Sequence, residues 1–230
     1  MFTSRFQAWV RRNALRLAAA VARLPVTPNQ VTVAGMLATF VAAALAGFGY
    51  LLAAALVLIF AGTFDILDGA LARVTRRSYP YGAFLDSTTD RYSEGAVYLG
   101  IAAYFLTHPS SDLTMKVLGC MAALAGSYLV SYVRARAQSL GFKCDVGLFA
   151  RPERVVATVI GLLFPMVLPY VIYLLAILTN FTAVQRIHEV WRQGREQRRA
   201  HEAASSASRS RAEPRSSPRD ASAAPESPPL

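Results

Sequence analysis

Residues 30–64 are QVTVAGMLATFVAAALAGFGYLLAAALVLIFAGTF, and no charged side chain lies anywhere between Arg23 and Asp65. As a helix with a rise of about 1.5 Å per residue, this uncharged stretch would extend about 60 Å. That is about twice the ~30 Å thickness of the hydrocarbon core of a bilayer. Gly47 and Gly49 supply a turn near its middle. The stretch therefore predicts two successive membrane-crossing helices and an integral membrane protein.

The composition of the whole chain supports this prediction and excludes an ordinary soluble domain. Of its 230 residues, 54% are hydrophobic and 17% are charged, whereas soluble domains average about 25% charged residues. The net charge of +10 is compatible with a nucleic acid or an anionic membrane surface as partner. Beside such apolar stretches we interpret the basic residues as signals for membrane topology and lipid headgroups, and expect no nucleic acid partner. The two cysteines are too few for a disulfide framework or a zinc site.

The hydrophobic pattern predicts an all-α, polytopic fold with six transmembrane helices preceded by an interfacial helix. Residues 2–24 form an amphipathic pattern typical of a helix that lies on the membrane surface. From about residue 193 the chain is rich in Arg, Glu, Ser, Ala and Pro, which predicts a disordered cytoplasmic tail. We therefore divide the chain into residues 1–28, 29–192 and 193–230. The spans are predicted at about 30–48, 50–73, 82–106 and 113–138, with two more within 148–192 separated by Pro165 and Pro169.

The basic residues predict the orientation in the membrane. In a six-span arrangement, the arginines of 5–23, 76–77 and 134–154 and those after 186 all lie on one side. The opposite connections carry only Asp112 and Lys116 as charges. Because basic residues concentrate on the cytoplasmic side, we expect a multi-pass protein of the inner or plasma membrane with both termini and the active site in the cytoplasm.

Four aspartates lie where the second and third predicted spans reach that side. Asp65 and Asp68 are three residues apart, and Asp86 and Asp90 are four apart, so each pair lies on one helix face. If the two helices are adjacent and antiparallel, the four carboxylates meet in a small volume, where their mutual repulsion requires a compensating cation. Oxygen ligands without Cys or His favour Mg²⁺ or Mn²⁺, and four carboxylates can hold two ions. The alternative is that they are helix caps or partners of nearby arginines.

The residues around these aspartates form the pattern D-x2-D-G-x2-A-R-x8-G-x3-D-x3-D, which begins at Asp65 and ends at Asp90. Gly69 and Ala72 share the aspartate face, and their small size permits a flat or bulky ligand group to approach closely. Close packing of helices is the alternative explanation for small residues in a membrane. The whole pattern resembles the CDP-alcohol phosphotransferases, six-span enzymes that join a CDP-activated lipid to an alcohol and release CMP. The resemblance extends over about residues 2–192 and implies a homodimer.

The resemblance also implies a role for each residue of the pattern. Asp65, Asp68 and Asp86 would bind two Mg²⁺ ions, with Mn²⁺ as a possible substitute. Asp90 would be both a metal ligand and the base that takes the proton from the acceptor hydroxyl. The residues implied to contact the CDP-lipid are Asn29, Gln30, Val31, Thr32, Gly69, Ala72, Arg73, Ser78 and Tyr79.

A group of arginines beyond the motif indicates that the acceptor carries a phosphate, since the guanidinium fork suits phosphate oxygens. Positive-inside topology alone is the alternative explanation. The local strings SYVRARA, RPER and VQRIHEVW resemble the actinobacterial phosphatidylinositol phosphate synthases, which use CDP-diacylglycerol and inositol phosphate. The chain has Arg134 where that subfamily commonly has lysine. The residues that would bind the acceptor phosphate are Arg134, Arg136, Arg151, Arg154 and Arg186.

The sequence alone is also compatible with other functions. Within the same family, the acceptor could be glycerol phosphate, or the donor could be an ether lipid. A divalent cation transporter would also place aspartates in a membrane, but typically near its midplane and with internal repeats. A membrane anchor whose tail recruits a partner would leave the aspartates without a purpose.

Overall fold

The computed structural model describes residue 22 and residues 25–76, 79–147 and 150–212, with side chains up to residue 205. In this part of the chain the protein consists of six helices without a strand, which confirms the all-α prediction. We number them α1 Pro28–Gly47, α2 Leu51–Val74, α3 Pro80–Thr107, α4 Leu113–Ser139, α5 Arg151–Leu163 and α6 Leu168–Ala212.

The helix boundaries follow local sequence signals. At the start of α1, Thr27 and Gln30 form a capping box in which each side chain accepts a hydrogen bond from the other residue's backbone N–H. Proline occupies the first turn of α1, α3 and α5, where its missing N–H costs nothing. Between α1 and α2 the chain turns at Gly49, whose φ of 87° favours glycine.

Helix α1 lies between the two helices that carry the aspartates. Gly35 faces Phe64 of α2, and the Ala43 backbone lies against Gly100 of α3 so closely that a Cβ at Gly100 would collide with it. Small residues on two faces of α1 therefore let both neighbours pack against it. As a result, α2 and α3 both pack extensively on α1, and the direct contacts between them are few.

The remaining helices complete the bundle. Helix α4 packs on α3 and on α6, while α5 packs on α6 and on α2. The main core joins residues of all six helices, among them the fully buried Ala54, Ile101 and Ile172, and it lies away from the aspartates. The fold thus packs the helices tightly toward one end and leaves the aspartate end more open.

Within the part of the chain that the structure describes, four helices are long and apolar enough to cross a membrane: Pro28–Gly47, Leu51–Val74, Leu113–Ser139 and residues 168–205 of α6. The protein is therefore a multi-pass membrane protein. Helix α3 is 28 residues long, but its amino-terminal part carries the charges of Asp86, Asp90, Arg91 and Glu94. Helix α5 has 13 residues and, at about 1.5 Å per residue, extends only about 20 Å. The number of six membrane spans thus stays a prediction.

The predicted segment boundaries agree with α1 to α4 to within a few residues, but not at the carboxyl end. Helix α6 continues through residues 193–212, where the sequence predicted a disordered tail. The physical reason is the local composition, since Arg, Glu, Gln and Ala are strong helix formers even without a packing partner. Residues 213–230 and the predicted interfacial helix at 2–24, apart from Ala22, lie outside the described residues. The division into three segments stays a prediction.

Candidate active site

The carboxyl half of α2 and the amino-terminal halves of α3 and α5 meet around the four aspartates. Asp68 is 6% exposed, and the Asp90 side chain is 17% exposed. Asp86 lies close enough to Asp65, Asp68 and Asp90 to repel each of them electrostatically. The fold therefore concentrates negative charge in a partly buried place, where it must be compensated.

Arg151 supplies a compensating charge from the first residue of α5. Its Nη1 atom lies 2.6 Å from Asp65 Oδ2 and 2.8 Å from Asp90 Oδ1. One guanidinium therefore bridges a carboxylate of α2 and a carboxylate of α3. Arg151, predicted from the sequence to bind the acceptor phosphate, thus contacts two predicted metal ligands, and its role toward the acceptor stays a prediction.

Asp68 is held separately, by α1. The Thr32 hydroxyl lies 2.7 Å from Asp68 Oδ2 and 3.1 Å from the Pro28 carbonyl oxygen, and it can donate to either. This contact orients the most buried of the four carboxylates. It also explains why a residue of α1, far from the motif in sequence, belongs to the site.

The donor set fits a hard divalent ion, although the side chains are not gathered around one point. Among the described residues, no three Asp, Glu, His or Cys side chains are grouped closely enough to hold an ion as they stand. The reason is that Arg151 lies between Asp65 and Asp90, while Asp68 is held by Thr32 of α1. All four donors are nevertheless carboxylate oxygens, the ligands that Mg²⁺ and Mn²⁺ prefer. Their assignment as metal ligands stays a prediction.

A cleft of about 720 Å³ opens between α1, α2 and the start of α3. We call it the glycine cleft. Of the residues predicted to bind the CDP-lipid, six line it. The lining residues are Pro28, Asn29, Thr32, Asp68, Gly69, Ala72, Arg73, Tyr79, Gly82, Ala83 and Asp86.

Gln30 and Val31, also predicted to contact the CDP-lipid, do not line this cleft. Gln30 is exposed and caps α1 through Thr27. Val31 is 5% exposed and packs against Ala70 and Leu71 of α2. Successive helix residues point about 100° apart, so a contiguous segment cannot present every side chain to one ligand. Ser78 lies outside the described residues.

Gly69 keeps the glycine cleft open. A Cβ built on it would meet only the Arg73 guanidinium, 4.0 Å away. The small size of Gly69 is therefore not required by helix packing, which answers the alternative raised by the sequence. A larger side chain at this position would extend into the cleft.

A second cleft, of about 550 Å³, opens on the other side of Asp90, and we call it the arginine cleft. Four of the five arginines predicted to bind the acceptor phosphate line it. The lining residues are Asp90, Arg91, Glu94, Val130, Ser131, Arg134, Ala150, Arg151, Arg154 and Arg186.

Arg136, the fifth predicted arginine, is exposed near the end of α4 and is not among the lining residues. It follows Arg134 by two residues, and at about 100° per residue the two side chains leave the helix on different faces. Arg134 itself is paired with Asp145 at 3.1 Å.

Arg186 lines the arginine cleft and also connects the segments of backbone beside it. Its guanidinium donates to the carbonyl oxygens of Val130, at 2.6 Å, and Val146, at 2.9 Å. These contacts join α6 to the end of α4 and to the connection between α4 and α5.

Glu94 also belongs to this site, although it was not among the site residues predicted from the sequence. Its carboxylate receives two hydrogen bonds from Arg154 and lines the arginine cleft. A signal was present, because Glu94 follows Asp90 by four residues and so lies on the same face of α3. Nothing in the sequence indicated that its partner would come from α5.

The fold and the site define a class: an all-helical membrane protein in which a glycine-lined and an arginine-lined cleft meet at a group of aspartates. The sequence model of the CDP-alcohol phosphatidyltransferases matches residues 25–185, which is more than half of the chain. The protein belongs to this family, as its motif predicted, and is a transferase of phospholipid synthesis.

One protein similar to this chain is the archaetidylinositol phosphate synthase of Methanothermobacter thermautotrophicus. It is 38% identical over 174 residues, which cover 74% of this chain and 85% of that protein. The phosphatidylinositol phosphate synthase of Mycobacterium tuberculosis is 38% identical over 186 residues, covering 76% of this chain and 84% of that protein.

Crystal structures of the Mycobacterium tuberculosis phosphatidylinositol phosphate synthase share the fold. The structure with CDP-DAG bound superposes with a TM-score of 0.72 at 35% identity, covering 78% of this chain and 94% of that chain. A second structure, in complex with manganese and citrate, gives the same TM-score and identity over 77% of this chain and 88% of that chain.

Proposed function

We propose that the protein transfers the phosphatidyl group of CDP-diacylglycerol to a hydroxyl of inositol phosphate and releases CMP. The observation that carries this proposal is the position of the aspartates between the two clefts. Asp68 and Asp86 line the glycine cleft, while Asp90 lines the arginine cleft. A donor in the first cleft and an acceptor in the second would therefore meet at the carboxylates.

The glycine cleft would hold the cytidine diphosphate part of the donor. Gly69 and Ala72 leave room for the nucleotide, and Arg73 offers a cation to the pyrophosphate. The acyl chains would extend along the apolar outer faces of the helices, where large side chains such as Leu52 and Phe60 are exposed. A CDP-lipid as the donor is supported by the relative whose structure contains bound CDP-DAG.

The arginine cleft would bind the phosphate of the acceptor and present its hydroxyl to Asp90. Arg134, Arg154 and Arg186 surround the cleft, and guanidinium groups bind phosphate well. Asp90 would accept the hydroxyl proton while the hydroxyl oxygen attacks the lipid-side phosphorus. The bond from that phosphorus to the CMP oxygen then breaks, and CMP leaves.

The four aspartates would hold two divalent ions, Mg²⁺ or Mn²⁺. When bound, such ions neutralise the charge of the pyrophosphate and of the leaving CMP. Two observations support the proposal: all four donors are carboxylates at one site, and a relative's structure is in complex with manganese. Arg151 now provides the positive charge between Asp65 and Asp90, and ions bound there would free it for the adjoining arginine cleft.

The arrangement in the membrane is part of the same proposal. We place six spans and an interfacial helix at residues 2–24 in the inner or plasma membrane, with both termini and the two clefts in the cytoplasm. The concentration of arginines at the aspartate end supports this orientation. A homodimer is proposed from the family resemblance.

An ether-lipid donor is a second candidate. The archaetidylinositol phosphate synthase is as similar to this chain, at 38% identity, as the phosphatidylinositol phosphate synthase. Both relatives are named for products that contain inositol phosphate. This alternative therefore changes the lipid donor and leaves the proposed role of the arginine cleft intact.

A panel of acceptors tests the proposed function. Purified protein receives CDP-diacylglycerol, Mg²⁺ and a radiolabelled acceptor, either inositol phosphate, free inositol, glycerol phosphate or serine. We expect lipid product with inositol phosphate but not with free inositol or serine, because the arginine cleft binds the phosphate. Product formed only with glycerol phosphate or serine would overturn the acceptor assignment and leave the family membership standing. Repeating the assay with an ether CDP-lipid distinguishes the two donors.

Arg134 and Arg136 provide an internal comparison for the role of the arginine cleft. We expect Arg134→Ala to raise the KM for the phosphorylated acceptor by about tenfold, since one charge-assisted hydrogen bond contributes ~1.5–3 kcal/mol at most. Arg136→Ala should raise it less, because Arg136 does not line the cleft. Acceptor titrations of both variants check this, and a larger effect of Arg136→Ala would contradict the assignment of the cleft.

A further inference from the structure

The acceptor side of the site contains an ion pair that spans two helices. Arg154 Nε donates to Glu94 Oε1 at 2.6 Å, and Arg154 Nη2 donates to Glu94 Oε2 at 3.0 Å. Both side chains are well removed from water, with 3% of Arg154 and 11% of Glu94 exposed. Such a two-point contact fixes the plane of the guanidinium, and burial makes each charge dependent on the other.

A second ion pair, between Asp90 and Arg151, also connects α3 with α5. Asp90 and Glu94 are one turn apart on α3, and Arg151 and Arg154 are about one turn apart on α5. The pairs Asp90–Arg151 and Glu94–Arg154 therefore run parallel to each other between the helices. Helix α5 packs extensively on α2 and α6 but not on α3. Contacts between long charged side chains thus connect α3 with α5.

The Glu94–Arg154 pair also separates two spaces inside the protein. On one side lies the arginine cleft, which both residues line. On the other lies a narrow space toward the bundle interior, also lined by both residues and reaching Thr39 and Tyr98. The pair therefore forms part of the floor of the arginine cleft.

We propose that Glu94 is a positioning residue for the acceptor, acting through Arg154. Its carboxylate holds the buried guanidinium in the floor of the arginine cleft, in one orientation toward the acceptor's phosphate. Loss of the carboxylate would remove the two-point contact that fixes the plane of the guanidinium, so Arg154 would no longer be held in this orientation. The inference rests on the proposed use of a phosphorylated acceptor and adds a specificity-determining residue to it.

The test compares Glu94→Gln with a matched control on the neighbouring helix. Glutamine keeps the size of the side chain but removes its charge. We expect Glu94→Gln to raise the acceptor KM about tenfold or more, while kcat and the KM for the CDP-lipid change less than about threefold. Glu153→Gln, the same change at an exposed residue beside Arg154, should leave all three values unchanged. Glu94→Asp, which keeps the charge, should recover part of the loss.

A double-mutant cycle shows whether Glu94 acts through Arg154. If it does, Glu94→Gln combined with Arg154→Gln should have the acceptor KM of Arg154→Gln alone, since the partner is already absent. Equilibrium binding of radiolabelled inositol phosphate without the CDP-lipid should follow the same order as the KM values. Either an unchanged acceptor KM in Glu94→Gln, a fall in kcat alone, or additive effects in the double variant would overturn the proposal.

Failure of this inference is distinguishable from failure of the proposed function. The acceptor of the wild-type protein is determined first with the acceptor panel. The variants are then measured with the phosphorylated alcohol that the wild-type protein uses. If the wild-type protein uses only unphosphorylated alcohols, the proposed function and this inference are both overturned. If it uses a phosphorylated acceptor and Glu94→Gln binds it normally, only the role of Glu94 is overturned.

Discussion

Replacing Asp90 with asparagine should lower kcat by at least about 10³-fold, since a positioned acid or base alone contributes about 10²–10⁴-fold. Asp90 borders the arginine cleft and contacts Arg151 at 2.8 Å. Asparagine has nearly the same size but cannot accept the proton of the acceptor hydroxyl, and it is a weaker ligand for a divalent ion. The variant therefore removes two proposed roles with little change in shape.

The measurement is CMP release by purified variant and wild-type protein at saturating concentrations of both substrates. Asp112→Asn is the control, because Asp112 is exposed at the start of α4, at the opposite end of that helix from Arg134. A thermal unfolding scan in the same detergent checks that both variants are folded. Near-normal turnover of a folded Asp90→Asn protein would remove Asp90 from the role of base.

Enlarging Gly69 should block the donor. A Cβ at this position meets only the end of the Arg73 side chain, at 4.0 Å, so the helix itself accepts a larger residue. The added atoms of Gly69→Leu would occupy the glycine cleft instead. Because inserted atoms in a filled site cost about 1–3 kcal/mol, we expect the KM for CDP-diacylglycerol to rise by about 10- to 100-fold.

Titration of the CDP-lipid in Gly69→Ala and Gly69→Leu measures this effect as a graded series. Gly62→Ala is a control on the same helix, since a Cβ there has no neighbour within 4 Å and Gly62 does not line the glycine cleft. The acceptor KM should change little in all three variants. An unchanged donor KM in Gly69→Leu would show that the nucleotide lies elsewhere.

The helices themselves were largely predictable from the sequence. Uninterrupted apolar runs gave the positions of α1, α2 and α4 to within a few residues. The exception is the end of α6, where a polar segment predicted as a tail is helical through Ala212. There the intrinsic helix propensity of Arg, Glu and Ala has more influence than the lack of a core to pack against.

The composition of the site was predictable in part, and its arrangement was not. Spacing along one helix identifies residues that share a face, which places Asp65 with Asp68 and Asp86 with Asp90. It does not identify the helix opposite that face. The position of α1 between α2 and α3, and the Arg151 bridge, depend on packing between segments distant in sequence. Glu94 was not predicted as a site residue for the same reason, since its partner Arg154 lies 60 residues away in the sequence.

Divalent-cation dependence of CMP release tests the central claim most directly, namely that aspartates of α2 and α3 support transfer from a CDP-lipid to a phosphorylated alcohol. Protein treated with a chelator is given CDP-diacylglycerol and inositol phosphate, and CMP and lipid product are measured as Mg²⁺ or Mn²⁺ is added. We predict no turnover without the ion, and equal amounts of CMP and phosphatidylinositol phosphate once it is restored. CMP release that persists in chelator, or ion flux across vesicles without CMP release, would contradict the account.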